Sequence, residues 1–316
     1  MKTVERIFRL EGTAGLGAKP HPGMLGALLV QIPDTLRDAV RMGFLHSSRA
    51  GGRLSRALQA ASEVRFAGCS ADSDAVTNVR FELPLFGEAA PELFAQGKFW
   101  DDGPRPEATA FDLLGDALLD IDAGRTNSDH FDQPLLARVG RYGVLFRRGL
   151  NSVSLVGEDS RAVAQISPTV VDAAHQLSRR TPASRRVRIA GRLDLIGASQ
   201  GVMKLHLCPG QIVTALWSGA GEIERFKECF NRDVVVEGMG VFRPSGALLR
   251  VEADAVAPAT EQDEFFRELP QSLAAPDYEA MTRLRAGERS AYHRILGAIP
   301  AEETDEEFAA AVEAFS

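Results

Sequence analysis

Cysteine is scarce in this chain: Cys69, Cys208 and Cys229 are the three in 316 residues, and no two form a CxxC pair. That excludes a disulfide framework and a thiolate zinc site, and it fits reduced thiols in a cytosolic setting. Long apolar runs are missing too. Nothing approaches the ~20 residues a helix needs to cross a bilayer. The opening MKTVERIFRLEG carries charges where a signal peptide needs its apolar stretch. The expectation is a cytoplasmic protein with no membrane span. Catalytic spacing is equally sparse. The six histidines make neither HxH nor HExxH, and neither GxSxG nor GxxxxGKS/T occurs. Gly12, Gly15, Gly17 and Gly23 depart from GxGxxG and read as a flexible loop. No catalytic residue, metal ligand or cofactor is assigned, and a non-enzymatic protein is expected.

What is present is an uneven distribution of charge. Residues 261–316 hold 13 acidic and 5 basic residues, a net of −8, whereas residues 1–260 hold 31 basic and 30 acidic, a net of +1. The acidity belongs to the C-terminal part. A neutral body neither requires nor forbids nucleic acid, because binding depends on local patches.

The periodicities divide the chain into an α+β domain over residues 1–178, a linker over 179–184, a five-stranded barrel over 185–258 and an acidic helical tail over 259–316. In the first domain TVERIFRLEG reads as a strand. The stretch around Pro33 reads as a helix or helix pair, EVRFAGCSADSDAVTNVRFELPLF as two strands, and NSVSLVG as a short strand. The helix FDLLGDALLDID aligns Asp112, Asp116 and Asp120 opposite Leu114, Leu118 and Ile121, so the acidic row is expected to be its solvated side.

The barrel segment is the most legible. RRVRIAGRLDLIG alternates with period two, VMKLHLCPG ends on a Pro-Gly turn, and QIVTALWS follows. GEIERFKECFNRD switches to helical spacing, with Phe226, Cys229 and Phe230 on one face, and VVVEGMGVFRPSGALLRVEADAV is a hairpin turned at PSG. Three strands, a helix and two strands is the order of an OB-like barrel, a scaffold for single-stranded nucleic acid or oligosaccharide. Arg186, Arg188, Arg192, Lys204 and His206 would share the wet face of its first two strands, with Trp217 and Arg243 nearby. Cations follow phosphates and an aromatic ring stacks on a base. Against this, residues 185–258 carry ten basic and eight acidic residues and offer one obvious stacking ring, so a solvated face accounts for the same pattern.

The ending has its own signal. Thr304 and Glu307 form a T-x-x-E capping box, and the helix it starts presents Phe308, Val312 and Phe315 as one apolar stripe. So short a helix needs a surface to lie on, from its own chain or another. RILGAIPAEETDEEFAAAVEAFS, Arg294–Ser316, resembles the ending of largely uncharacterised bacterial antitoxin-like proteins encoded beside PIN-domain ribonuclease toxins. The resemblance implies a protein partner. Phe308, Val312 and Phe315 would fill an apolar groove of the toxin, and Arg294 or Arg289 would meet its carboxylate cluster. Two expectations stand: a protein that neutralises such a partner through its tail, or a single-stranded nucleic-acid-binding barrel with an autoinhibitory acidic tail.

Overall fold

The computed structural model describes residues 2–12, 20–49, 54–94, 103–157, 161–197, 201–207, 210–217 and 226–270. The chain divides into two compact units, Met1–Ala275 and Pro276–Ser316, and every described residue lies in the first. Its elements, in order, are β1 (Thr3–Gly12), α1 (Pro22–Leu45), α2 (Arg56–Ala61), β2 (Arg65–Ser73), β3 (Val76–Pro84), α3 (Phe86–Ala89), α4 (Ala110–Asp122), α5 (Gln133–Gly140), α6 (Gly143–Phe146), β4 (Leu150–Val156), β5 (Ala162–Ile166), α7 (Pro168–Arg180), β6 (Arg185–Gly197), β7 (Val202–Leu207), β8 (Gln211–Trp217), β9 (Asp233–Phe242) and β10 (Leu248–Pro258). The protein is a mixed α+β structure.

The first five strands form an antiparallel sheet in the order β2-β3-β1-β4-β5. Alternation decides which face it covers. Phe8 and Leu10 of β1 align with Val79 and Phe81 of β3 and with Val153 and Leu155 of β4, and all six are buried. Phe8 meets Phe81 and Phe111 edge to face, each with ring centroids 5.6 Å apart. Against this face lies α1, whose Leu28, Ile32, Leu36 and Val40 recur every four residues and are fully buried. Pro33 sits inside α1 without dividing it, so the stretch is one helix and not a pair.

Two elements were not expected from the sequence. β5 is a short edge strand, and α7 starts on the Ser167 side chain, which accepts from Val170 N, with Pro168 at the first helical position. Because Arg179 and Arg180 form the last turn of α7, where cations suit the helix dipole, the connection to β6 is Thr181–Ser184.

β6 to β10 close a five-stranded barrel in the order β10-β8-β7-β6-β9. β6 pairs antiparallel with β7 and β9, β7 with β8, and β9 with β10, while β10 and β8 close the ring in parallel, a topology consistent with an OB-like barrel. Ile189, Leu193, Leu205, Val234, Val236 and Val251 fill it. Gly238 is required at its place: an added Cβ would lie 2.0 Å from the Glu252 carbonyl oxygen on the neighbouring strand.

The helix expected between the third and fourth barrel strands is, among the described residues, a short 3-10 turn over Lys227–Cys229. Phe226 is buried, but Phe230 is 53% exposed, contrary to the shared apolar face expected. Asn231 takes a left-handed backbone (φ 61°) that turns the chain out of any helix, and Asn tolerates that region. After the barrel, Glu261–Arg267 is a 3-10 helix. The rest of the helical tail, with Thr304 and Glu307, lies outside the described residues.

Barrel and sheet domain pack on one another. Val202 of β7 and Leu249 of β10 join the core of the sheet domain. Arg250 reaches across, its Nη1 donating to Asp132 Oδ2 at 3.2 Å and to the His46 carbonyl at 2.9 Å.

Candidate nucleic-acid interface

Period two on β6 buries Val187, Ile189 and Leu193 and leaves Arg186, Arg188 and Arg192 exposed. The three arginines cover about 20 Å of strand. Cross-strand pairing sets Arg192 opposite His206, and Arg188 opposite Glu237. The structure therefore brings together four of the seven barrel residues expected from the sequence.

The other three are placed differently. Arg243 turns to the sheet domain, where its Nε donates to Asp129 at 3.1 Å. Lys204 lies close enough to His46 to help hold that imidazole neutral, with burial the larger cause of the lowered pKa. Thr214, its partner on β8, and Arg250 beyond continue the same contact. Trp217 sets its ring edge to face on Phe226 at 4.9 Å, against the barrel core, and its Nε1 is buried without a hydrogen-bond partner among the described residues. Lys204 and Arg243 belong to the packing of barrel on sheet, and Trp217 to the barrel's own filling.

Each remaining cation has acidic company. Arg186 pairs with Asp254 at 3.2 Å, Arg192 Nε with Asp194 at 3.2 Å, and His206 Nε2 lies 3.3 Å from Asp194. Arg192 also donates to Asn231 Oδ1. Exposed pairs of this kind contribute roughly 0–1 kcal/mol each, so a phosphate exchanges with such carboxylates at little cost.

Arg188 is different. Its Nε lies 3.2 Å from Glu237 on β9, and its Nη2 donates to Asp263 Oδ1 at 2.9 Å. The ring of Phe266 lies over the guanidinium, 4.8 Å from its carbon. Asp263 and Phe266 come from the segment after the barrel, which straps across β6. A capping box fixes that segment: Thr260 N and Thr260 Oγ1 both donate to Asp263 Oδ2, at 2.8 and 2.7 Å. Arg267 anchors its far end on Asp233 at 2.9 Å. These bonds, those from Thr260 first, hold the Asp263 carboxyl below its ordinary range.

The aromatic supply also differs from expectation. Phe230, next to the Asn231 that holds Arg192, is exposed, and Phe265 in the strap is 85% exposed. The T-x-x-D spacing of Thr260 and Asp263 was readable as a capping box; that its carboxylate lands on Arg188 was not.

The acidic row of α4 does not form one solvated side. Asp112 caps its own helix through Thr109, and Asp116 is exposed. Asp120 is buried, accepting from Ser128 Oγ at 2.6 Å and Arg125 Nη1 at 2.7 Å, with His130 Nδ1 at 2.9 Å. The chain after α4 folds back over it. No group of three metal-binding side chains occurs among the described residues. Arg289, Arg294, Phe308, Val312 and Phe315 lie outside the described residues. No protein-family model, curated protein or solved structure matches this chain.

Proposed function

We propose that the barrel is an OB-like module for single-stranded nucleic acid, whose basic strand is covered by the acidic segment that follows it. The observation that carries this reading is the seat of Asp263 and Phe266 on Arg188. A carboxylate on a guanidinium stands where a phosphate would stand, and a ring over it stands where a base would stack. Arg186, Arg192 and the exposed Phe230 extend the same face for neighbouring nucleotides. When the strap lifts, Arg188 regains its donors and the face becomes more positive.

A second reading rests on the sequence of Arg294–Ser316. A short helix bearing Phe308, Val312 and Phe315, with Arg289 or Arg294 beside it, is a hook for a protein partner such as a PIN-type nuclease. One titration separates the two. Labelled single-stranded oligonucleotide is added to the full chain, to Arg186→Ala/Arg192→Ala and to a chain lacking residues 294–316. The barrel reading expects salt-sensitive binding that the double variant weakens at every sequence, lowering the salt slope by about 2 for two lost phosphate contacts. Absence of binding in all three, with a protein captured only when residues 294–316 are present, favours the hook.

A further inference from the structure

A cleft of about 710 Å³ opens between the middle of α1, α2 and the residues leading into β2. Arg37, Arg41 and Arg56 line it, with Glu63 as the acidic residue among the described lining. The neighbouring carboxylates have other partners. Glu63 Oε1 accepts from Arg65 Nε and Nη2 at 2.9 and 2.8 Å. Asp34 accepts from Arg37 Nη1 at 2.9 Å and from Arg138 Nη1 at 3.2 Å, and Asp38 Oδ2 accepts from Arg138 Nε at 2.8 Å. Arg138 thus takes up both acids of α1.

Arg41 is left short. Its Nη1 stands 4.0 Å from Asp38 Oδ1, beyond hydrogen-bond reach, and its Nε is buried with no hydrogen-bond partner among the described residues. The side chain is 22% exposed, so water reaches it on the cleft side only in part. Arg37 and Arg41 share one helix face at i and i+4, an arrangement of like charges that disfavours the helix unless something offsets it. A buried donor without a partner beside two further guanidinium groups calls for an anion.

We propose that this cleft binds the phosphate group of a small organic molecule, with Arg41 as the central ligand and Arg37 and Arg56 closing on the remaining oxygens. Guanidinium forks match the spacing of phosphate oxygens, and a tetrahedral anion can accept from all three arginines at once. Pro33, Leu54 and Val64 form an apolar wall for the organic part. The site uses no residue of the barrel face and stands or falls without it.

The test is calorimetric titration of the full chain with pyrophosphate, with a nucleoside triphosphate and with a single-stranded oligonucleotide. Arg41→Gln, Arg56→Gln and, as a distant control, Arg125→Gln are compared, with thermal melts to confirm folding. Arg56 is exposed at the first position of α2, so its variant keeps the question open if Arg41→Gln fails to fold. Pyrophosphate or the triphosphate is expected to bind the parent chain, with affinity falling about tenfold or more in the two cleft variants and unchanged in the control. Bound ligand should also raise the melting temperature of the parent chain. No binding of either small phosphate, or equal binding by all variants, overturns the proposal. So does dependence on Arg41 confined to the oligonucleotide, which would assign the phosphate to a polymer.

Discussion

Arg188 shows how one side chain decides the state of a surface. Its guanidinium is shared among Glu237, Asp263 and the ring of Phe266, while Arg186 and Arg192 keep looser acidic neighbours. The strap is therefore sensitive to acid. The Asp263 carboxyl lies below its ordinary 3.8, chiefly through the Thr260 N–H and hydroxyl and then through Arg188. A depressed carboxylate contributes stability above its unfolded pKa and loses it as pH falls through the folded one. The strap should hold at neutral pH and release below the ordinary aspartate range. Hydrogen exchange at the Thr260 amide, followed as the solution is acidified, checks this; protection that persists unchanged into strong acid would contradict it. The arginine row on β6 was readable from alternation alone. The partner of Arg188 was not, because it comes from a residue 75 positions away.

At the scale of elements, the barrel strands were legible because alternation, a Pro-Gly turn and a PSG turn mark their limits. β5 was not: Ala162–Ile166 is five residues with Ala and Gln among them, and only its pairing with β4 makes it a strand. α7 announced itself with Ser167-Pro168, a start signal outweighed in the reading by the run of arginines at its end. Phe230 was misplaced because Phe226, Cys229 and Phe230 fit a helical stripe. Asn231 reverses the chain before such a stripe completes. Close strand approach gives a direct check. Gly238→Ala sets a methyl 2.0 Å from the Glu252 oxygen and 2.8 Å from Ala253 Cα, both backbone atoms that cannot swing aside. It should cost about 1–3 kcal/mol or more, read as a lower urea midpoint. An unchanged midpoint would mean the strands stand further apart.

Across the whole first unit, barrel and sheet domain are joined by a buried ion pair as well as by apolar packing. The side chains of Arg250 and Asp132 are 4% and 0% exposed, and Asp132 also accepts from Ser48 N at 3.0 Å and Leu135 N at 3.2 Å. Removing one member of such a pair strands the other. Arg250→Ala should therefore destabilise by about 3–5 kcal/mol. Calorimetry should then resolve two unfolding steps where the parent chain shows one. A single transition at the parent temperature would show that the pair does not couple the two halves. This docking is also why Lys204 and Arg243 were read onto the wrong surface. Their periodicity places them outside the barrel, but only tertiary packing decides which outside is covered.

The measurement that bears most directly on the account is the affinity of the full chain for labelled single-stranded oligonucleotide, with and without Asp263→Ala, at low and moderate salt. Release of Arg188 should raise affinity roughly three- to tenfold at low salt and steepen its fall with salt, and adding Arg188→Ala should cancel the gain. Equal affinities for parent and variant, or a gain that survives loss of Arg188, would contradict the claim that the strap guards a phosphate-binding face.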